Sequence, residues 1–534
     1  MEFNLADLFE MVVDTVGDRE AIVSGDRRLT YEDLDRRVNQ LAHVLADHGV
    51  EHGQHVGLYL YNGTEYVEAM LACYKLGAVP ININYRYVAA ELVYLFNDAD
   101  LVCVIHHREF APTIAEVRDQ VAGISTFISV ADDSGADDSV LGAIDYEAAM
   151  AGASPERDFA ERSADDHYIL YTGGTTGMPK GVVWRHEDIF FGALGGGSYG
   201  GTPIATPEEL ADQIGENGIA MLTIAPLMHG AAQWSTFIGF FMGNTIVLSP
   251  QRKFDGAEMW QLIEDEKVTS ISIVGDAMGR PLIEALATDP DRFDVTNVLV
   301  IGSGGAIWSE GVKSQYRELL PNVMLMDNYG SSETGSQGGS PSIDAGEDEG
   351  APRFAMDDNH TVLDEDLKPV EPGSGVRGHV AKSGNIPLGY YGDEEKTAKT
   401  FVTIDGKRWV LQGDVATVEA NGTITLFGRG SICINSGGEK IFPEEVEGAL
   451  KQHPDVYDAV VVGVPDDRFG ERVAAVVETR PGASLDLESM QAFAREHVAG
   501  YKVPRQLALV EQIQRSPSGK ADYRWAKSVS EAAG

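Results

Sequence analysis

The sequence predicts an α/β chain of layered, largely parallel sheets, followed by a β-rich subdomain and a small α+β unit at the C-terminus. Three observations predict it. Strand-like apolar runs alternate with helical periodicity from residue 30 to about residue 306. After residue 380 the texture changes to short strands with turn chemistry. Beyond residue 429 a glycine-rich loop opens a new cycle of helix and strand. The expected division is therefore a large domain at 1–429 and a smaller one at 430–534, and 534 residues are enough for several compact units.

Thr30 and Asp33 resemble a capping box, and Leu34, Val38, Leu41 and Leu45 follow on one helical face. HVGLYL at 55–60 reads as a strand, 64–76 as a helix and LVCVI at 101–105 as a strand, with Gly77-Ala78-Val79-Pro80 as a break. The same rhythm returns in ISIVG at 271–275, a helix around 280–287, and VLVIGSGGA at 298–306. The acidic stretch 131–138 and the polar stretch 340–350 read as surface loops. WVLQGDVATV, then Asn421-Gly422, then TITLFGRG form a hairpin signal. A helix from Pro443 and strands at 459–464 and 473–479 complete the small unit.

Asp plus Glu number 83 and Lys plus Arg 41, a net charge of 41 − 83 = −42. Such a field repels nucleic acid and anionic membranes, and its ordinary meaning is a well-hydrated surface. Cys73, Cys103 and Cys433 are far apart and odd in number, which points to a reducing compartment rather than disulfides or zinc. No apolar run approaches the roughly 18 residues of a membrane span, so a cytoplasmic protein is expected.

The most informative segment is YTGGTTGMPKG at 171–181. Thr172, Gly173, Gly174, Thr175, Thr176, Gly177 and Lys180 offer free backbone N–H groups, hydroxyls and a cation directly after a strand. That combination suits a polyphosphate. It is not a Walker A loop, because Pro179 precedes the lysine and Gly181 follows it. GGGSYG at 195–200 fits two glycine motifs but lacks their strand–turn–helix setting, and reads as a flexible loop. His106-His107 and His186-Glu187-Asp188 lack metal-site spacing and read as solvated polar turns.

GSGGA at 302–306, MDNYGSSETG at 326–335, QGDVA at 412–416, GRGSICINSGGEKIFPEEVE at 428–447 and SPSGK at 516–520 follow in order. With the Thr/Gly loop, this set resembles the adenylate-forming superfamily of acyl-CoA synthetases, peptide-synthetase adenylation domains and beetle luciferases. The resemblance spans 29–520 and implies a barrel-like β subdomain and a mobile C-terminal domain. It also implies roles. The Thr/Gly loop, from Thr172 to Lys180, would wrap the phosphates of ATP. Tyr329 would lie against adenine, with Gly304 and Gly305 lining the slot and Asp327 or Asn328 touching the amine. Ser332 would contact the α-phosphate and Glu333 would hold Mg²⁺. Asp414, helped by Arg429, would take the ribose hydroxyls.

The implied reaction has two steps: a carboxylate attacks the α-phosphorus of ATP to give an acyl-adenylate, and a thiol then attacks its carbonyl. Lys520 is the expected catalytic lysine of the first step, with Ser431 at the hinge in place of the family's usual charged residue. Gly437, Gly438 and Glu439 belong to the loop implied for the coenzyme A step. APLMHGAAQWS at 225–235 would meet the acyl group, with His229 as gate and Gly230, Ala231 and Ala232 leaving volume for a bulky chain. The segments most resemble actinobacterial acyl-CoA ligases of steroid side-chain degradation, and ordinary medium- to long-chain fatty acyl-CoA ligases share much of them. The expected partners are a carboxylic acid, ATP and coenzyme A, with no nucleic acid and with a homodimer left open. Two alternatives differ in thiol or in class: loading of a carrier protein, and a non-catalytic nucleotide-binding module. Binding alone needs neither Lys520 nor Glu333, which weighs against the second.

Overall fold

The computed structural model describes residues 2–172, 178–198, 200–306, 308–341, 353–436, 439–466, 470–516 and 519–533. Alternation of apolar strands and amphipathic helices produces two layered sheets in the first 341 residues. One has five parallel strands in the order Val79–Asn82, His55–Tyr59, Leu101–His107, Thr126–Val130 and Ile144–Asp145. The other has eight, with Val300–Gly304 between Ser270–Ile273 and Met324–Ser331, and only its outer pairs antiparallel. The inner strands of the five-stranded sheet are buried on both faces because helices cover both sides, whereas Ser270–Ile273 and Val300–Gly304 of the larger sheet alternate buried and half-buried residues. Thr30 caps the Tyr31–Asp47 helix, its Oγ1 accepting from Asp33 N at 3.1 Å.

His167–Thr172 and Lys180–Arg185 form an antiparallel pair that brings Thr172 opposite Lys180. A six-stranded antiparallel sheet follows, in which Lys407–Val418 pairs with Ile424–Arg429 across the Asn-Gly turn. That sheet ends at Arg429. The next begins at Ile434–Ser436 and packs apolar clusters on both faces, under the Pro443–Leu450, Leu487–His497 and Tyr523–Ala533 helices. Among the described residues no helix is long and apolar enough to cross a membrane.

Three sequence expectations change. The helix expected around 280–287 starts at Gly275 and runs to Thr288 through Pro281, whose missing N–H forgoes one bond without ending the helix. The glycines at 195–197 are not a loose loop. Gly196 and Gly197 are buried at positive φ, and a Cβ there would strike Phe191 or Ile204. His106 and His186 are buried, not solvated: His186 Nδ1 accepts from Leu5 N at 3.3 Å, and burial pushes its pKa down to about 4. Among the described residues no cluster of His, Cys, Asp or Glu could hold a metal by itself.

Candidate active site

A cleft of about 1560 Å³ lies where the two parallel sheets, the Thr172 strand and the C-terminal unit meet. Thr172, His229, Gly230, Ala231, Gly304, Gly305, Asn328, Tyr329, Ser332 and Lys520 all line it. Residues as far apart in sequence as Thr172 and Lys520 thus share one cavity. Lys520 is close enough to His229 for its charge to act on the imidazole.

One wall of the cleft follows from strand geometry. Gly304 and Asn328 are register partners on adjacent parallel strands. Side chains alternate across a strand, so Asn328 faces the cleft while Asp327 faces the Glu310–Leu319 helix, where its carboxylate takes Lys313 Nζ at 2.9 Å. Of Asp327 and Asn328, Asn328 is the one that lines the cleft. Gly305 has φ +81°, and a Cβ on Gly304 would meet nothing closer than Asn328 O at 3.4 Å. Neighbouring protein atoms do not fill that space, so a flat ring can lie against bare backbone there. Tyr329 donates its hydroxyl to Asp414 Oδ2 at 2.7 Å. Asp414 is buried, sits opposite Arg429 in register, and reaches the site through Tyr329 rather than by lining the cleft.

Ser332 and Glu333 occupy the turn joining Met324–Ser331 to Gly335–Pro341. Trp184 Nε1 donates to Ser332 O at 3.0 Å, and the buried Lys382 ammonium donates to Thr334 O at 2.7 Å and Ser336 O at 2.5 Å. Burial lowers the Lys382 pKa to about 8. Glu333 Oε1 accepts from Tyr390 Oη at 3.0 Å and Oε2 from Gln412 Nε2 at 2.6 Å. Glu333 does not itself line the cleft but adjoins Ser332, which does, and one oriented carboxylate there fits Mg²⁺, which keeps several waters and takes one or two carboxylates plus substrate phosphates. Lys180 lies 3.6 Å from both Asp98 and Asp393 and does not line the cleft. Gly173, Gly174, Thr175, Thr176 and Gly177 lie outside the described residues, as do Gly437, Gly438 and the side chains of Arg429 and Ser431. Glu439 is exposed at the start of the Glu439–Ile441 strand and does not line the cleft.

A second wall of the cleft is a helix. Gly230–Phe241 follows His229 directly, and Gly230, Ala231, Trp234, Ser235 and Ile238 line the cleft at helical spacing. Ala232 does not: it is 0% exposed and turns into the main core. The run of small residues therefore divides between two jobs. Gly230 is small because a Cβ would come within 2.5 Å of Leu170, whereas Ala231 opens space in the cleft. His229 is half-buried, and its Nε2 is shielded from solvent with no hydrogen-bond partner among the described residues. Burial, Lys520 and Arg86 push its pKa down to about 3, so it is neutral at any working pH.

Asn82 is a site residue that sequence reading missed. Its side chain accepts from Tyr171 N at 2.8 Å and donates to Tyr171 O at 2.8 Å and Met228 O at 2.7 Å. It ties the root of the Thr/Gly loop to the loop before His229. Only its polarity inside the apolar run at 79–83 could have signalled this.

The AMP-binding enzyme family profile matches residues 9–391, and the AMP-binding enzyme C-terminal domain matches 445–520. The chain is 50% identical to a medium/long-chain-fatty-acid–CoA/3-oxocholest-4-en-26-oate–CoA ligase of Mycobacterium marinum, covering 99% of this chain and 97% of that one. It is 49% identical to the 3-oxocholest-4-en-26-oate–CoA ligase of Rhodococcus rhodochrous, covering 99% and 96%. A crystal structure of an anthranilate CoA ligase in complex with anthranoyl-AMP matches the fold with a TM-score of 0.85 at 22% identity, over 99% of this chain and 98% of that one. Full-length similarity of this order, together with both family matches, places the chain among the AMP-binding enzymes as an acyl-CoA ligase.

Proposed function

We propose that this ligase activates large hydrophobic carboxylic acids, either a steroid side-chain acid or a medium- to long-chain fatty acid, through acyl-AMP to the coenzyme A thioester. One observation carries the reading: Lys520 of the C-terminal unit shares a cleft with His229 and the Gly304–Tyr329 wall. A carboxylate between His229 and Lys520 would stand where the α-phosphate of a nucleotide held by Ser332 and Gly304 is in reach. The carboxylate oxygen then attacks phosphorus, and pyrophosphate leaves. Lys520 offsets charge on both reactants, and the neutral imidazole of His229 can hydrogen-bond without adding charge. Mg²⁺ held by Glu333 would neutralise phosphate charge when bound. Neither step needs a protein nucleophile.

The proposed substrate class rests on the apolar Trp234–Ile238 face of the cleft and on the acids named for the relatives. Residues 430–534 are proposed as the moving unit, with Ser431 at the hinge and the Gly437–Glu439 loop serving the thioester step. A panel of acids from acetate to palmitate and a C26 steroid acid, scored by AMP release with coenzyme A present, tests the reading. Preference for long or polycyclic acids is expected, and a preference for acetate would overturn it. The same proposal makes the enzyme cytoplasmic, and sedimentation of the purified protein would test for a homodimer.

A further inference from the structure

We propose that the Gly275–Thr288 helix is the seat on which the C-terminal unit docks for adenylation, and that Asp276, Lys451, Asp458 and Arg515 form a charge chain across that seat which positions the Lys520 turn. This rests on the assignment of Lys520 to adenylation. Asp276, 5% exposed, uses Oδ1 to accept from Ser309 N at 2.8 Å. Its Oδ2 makes no hydrogen bond among the described residues and instead faces Arg280 at 3.5 Å and Lys451 of the C-terminal unit at 3.6 Å. The Lys451 ammonium is 3.2 Å from Asp458, and Arg515 grips both Asp458 oxygens at 2.7 Å. Arg515 Nη1 then donates to Gly519 O at 2.9 Å, the carbonyl immediately before Lys520.

The signs alternate along the chain, so each buried charge faces an opposite one. Lys451 and Arg515 accordingly hold the Asp458 carboxyl well below the usual carboxylate range. The same helix receives the turn itself. Gly519 has φ +74°, and a Cβ on it would lie 2.9 Å from Ala277 Cβ and 3.2 Å from Val274 O. Only glycine allows that approach. One and two turns along the same face, Arg280 lies over the Tyr457 ring at 5.2 Å and Glu284 meets Arg480 at 3.3 Å. Positions 276, 280 and 284 thus each contact the C-terminal unit, and the Asp276–Lys451 link lasts only while the units are closed in this way.

The experiment separates the half-reactions in the full-length enzyme. Asp276→Asn and Lys451→Met should each lower acid-dependent ATP–pyrophosphate exchange at least tenfold. The double variant should be little worse than either, because the two residues act as one link. Conversion of presynthesised acyl-AMP and coenzyme A to thioester should stay within about twofold of wild type. Equal loss in both half-reactions, or independent multiplication of the two effects, overturns the proposal. A rim pair guards against misfolding: Glu284→Arg and Arg480→Glu should each slow exchange and together restore it, and failure to restore counts against the seat. Lys520→Ala serves as the control. If it retains exchange, the assignment of Lys520 falls. If it loses exchange while Asp276→Asn and Lys451→Met retain it, only the charge chain falls.

Discussion

Gln412 Nε2 donates to Glu333 Oε2 at 2.6 Å, joining the strand that carries Asp414 to the turn that carries the candidate magnesium carboxylate. With Tyr390 on the other oxygen, both carboxylate oxygens are aimed before any ligand arrives. Preorganisation of this kind keeps reorganisation out of the barrier.

Glu333→Gln should lower adenylation by about 10²–10³, the usual scale for losing one oriented charge contact in an active site. The amide cannot supply the same attraction to Mg²⁺, so raised magnesium should recover part of the rate. The ATP–pyrophosphate exchange rate against magnesium concentration measures this. A wild-type rate at ordinary magnesium would remove Glu333 from the site.

Asn82→Ala should destabilise the large domain and slow the enzyme together. The change strands one N–H and two carbonyls in a buried place, and each unpaired group costs about 1–3 kcal/mol. Thermal melting and exchange rates on one preparation test it. An unchanged melting midpoint would mean the three groups find other partners.

Ala231→Trp and Ala232→Trp should behave differently although they are neighbours. At Ala231 the indole enters the cleft and should penalise long or polycyclic acids far more than short ones. At Ala232 it would overpack the core, costing about 1–3 kcal/mol or more of stability whatever the acid. Specificity constants across chain lengths, with melting curves, separate the two. Uniform loss in Ala231→Trp would show that this helix face does not meet the acyl group.

Acid should destabilise the protein partly through His186. Its pKa falls from 6.5 in the unfolded chain to about 4 when folded, because burial disfavours the charged ring. Below pH 6.5 the unfolded state binds a proton that the native state refuses, so this stability is lost as pH falls from about 6.5 to about 4. The total is about 3 kcal/mol, at 1.36 kcal/mol per unit. Urea unfolding of wild type and His186→Asn between pH 7.5 and 4.5 isolates the contribution. Identical pH slopes would mean that His186 is not the group responsible.

The local segments were legible from residue order because their chemistry is local: glycines where backbone must be bare, a strand before the Thr/Gly loop, Asn-Gly at the hairpin. Alternation of apolar runs with helical periodicity likewise revealed the layered sheets, since burial on both faces leaves a continuous mark in strands such as His55–Tyr59 and Thr126–Val130. The partition of neighbouring residues was not legible. Whether Asp327 or Asn328 faces the cleft depends on which side of its strand the Glu310–Leu319 helix covers. Whether Ala231 or Ala232 lines the cleft depends on the rotation of one helix against the core. The same holds for Asn82, whose three bonds run to segments distant in sequence, and for Asp276, which reads as an ordinary helix residue until Lys451 lies against it. Residue type specifies what a side chain can bond. Which partner it meets is decided only when distant parts of the chain are packed into one interior, where unpaired polar groups and charges are too costly to leave.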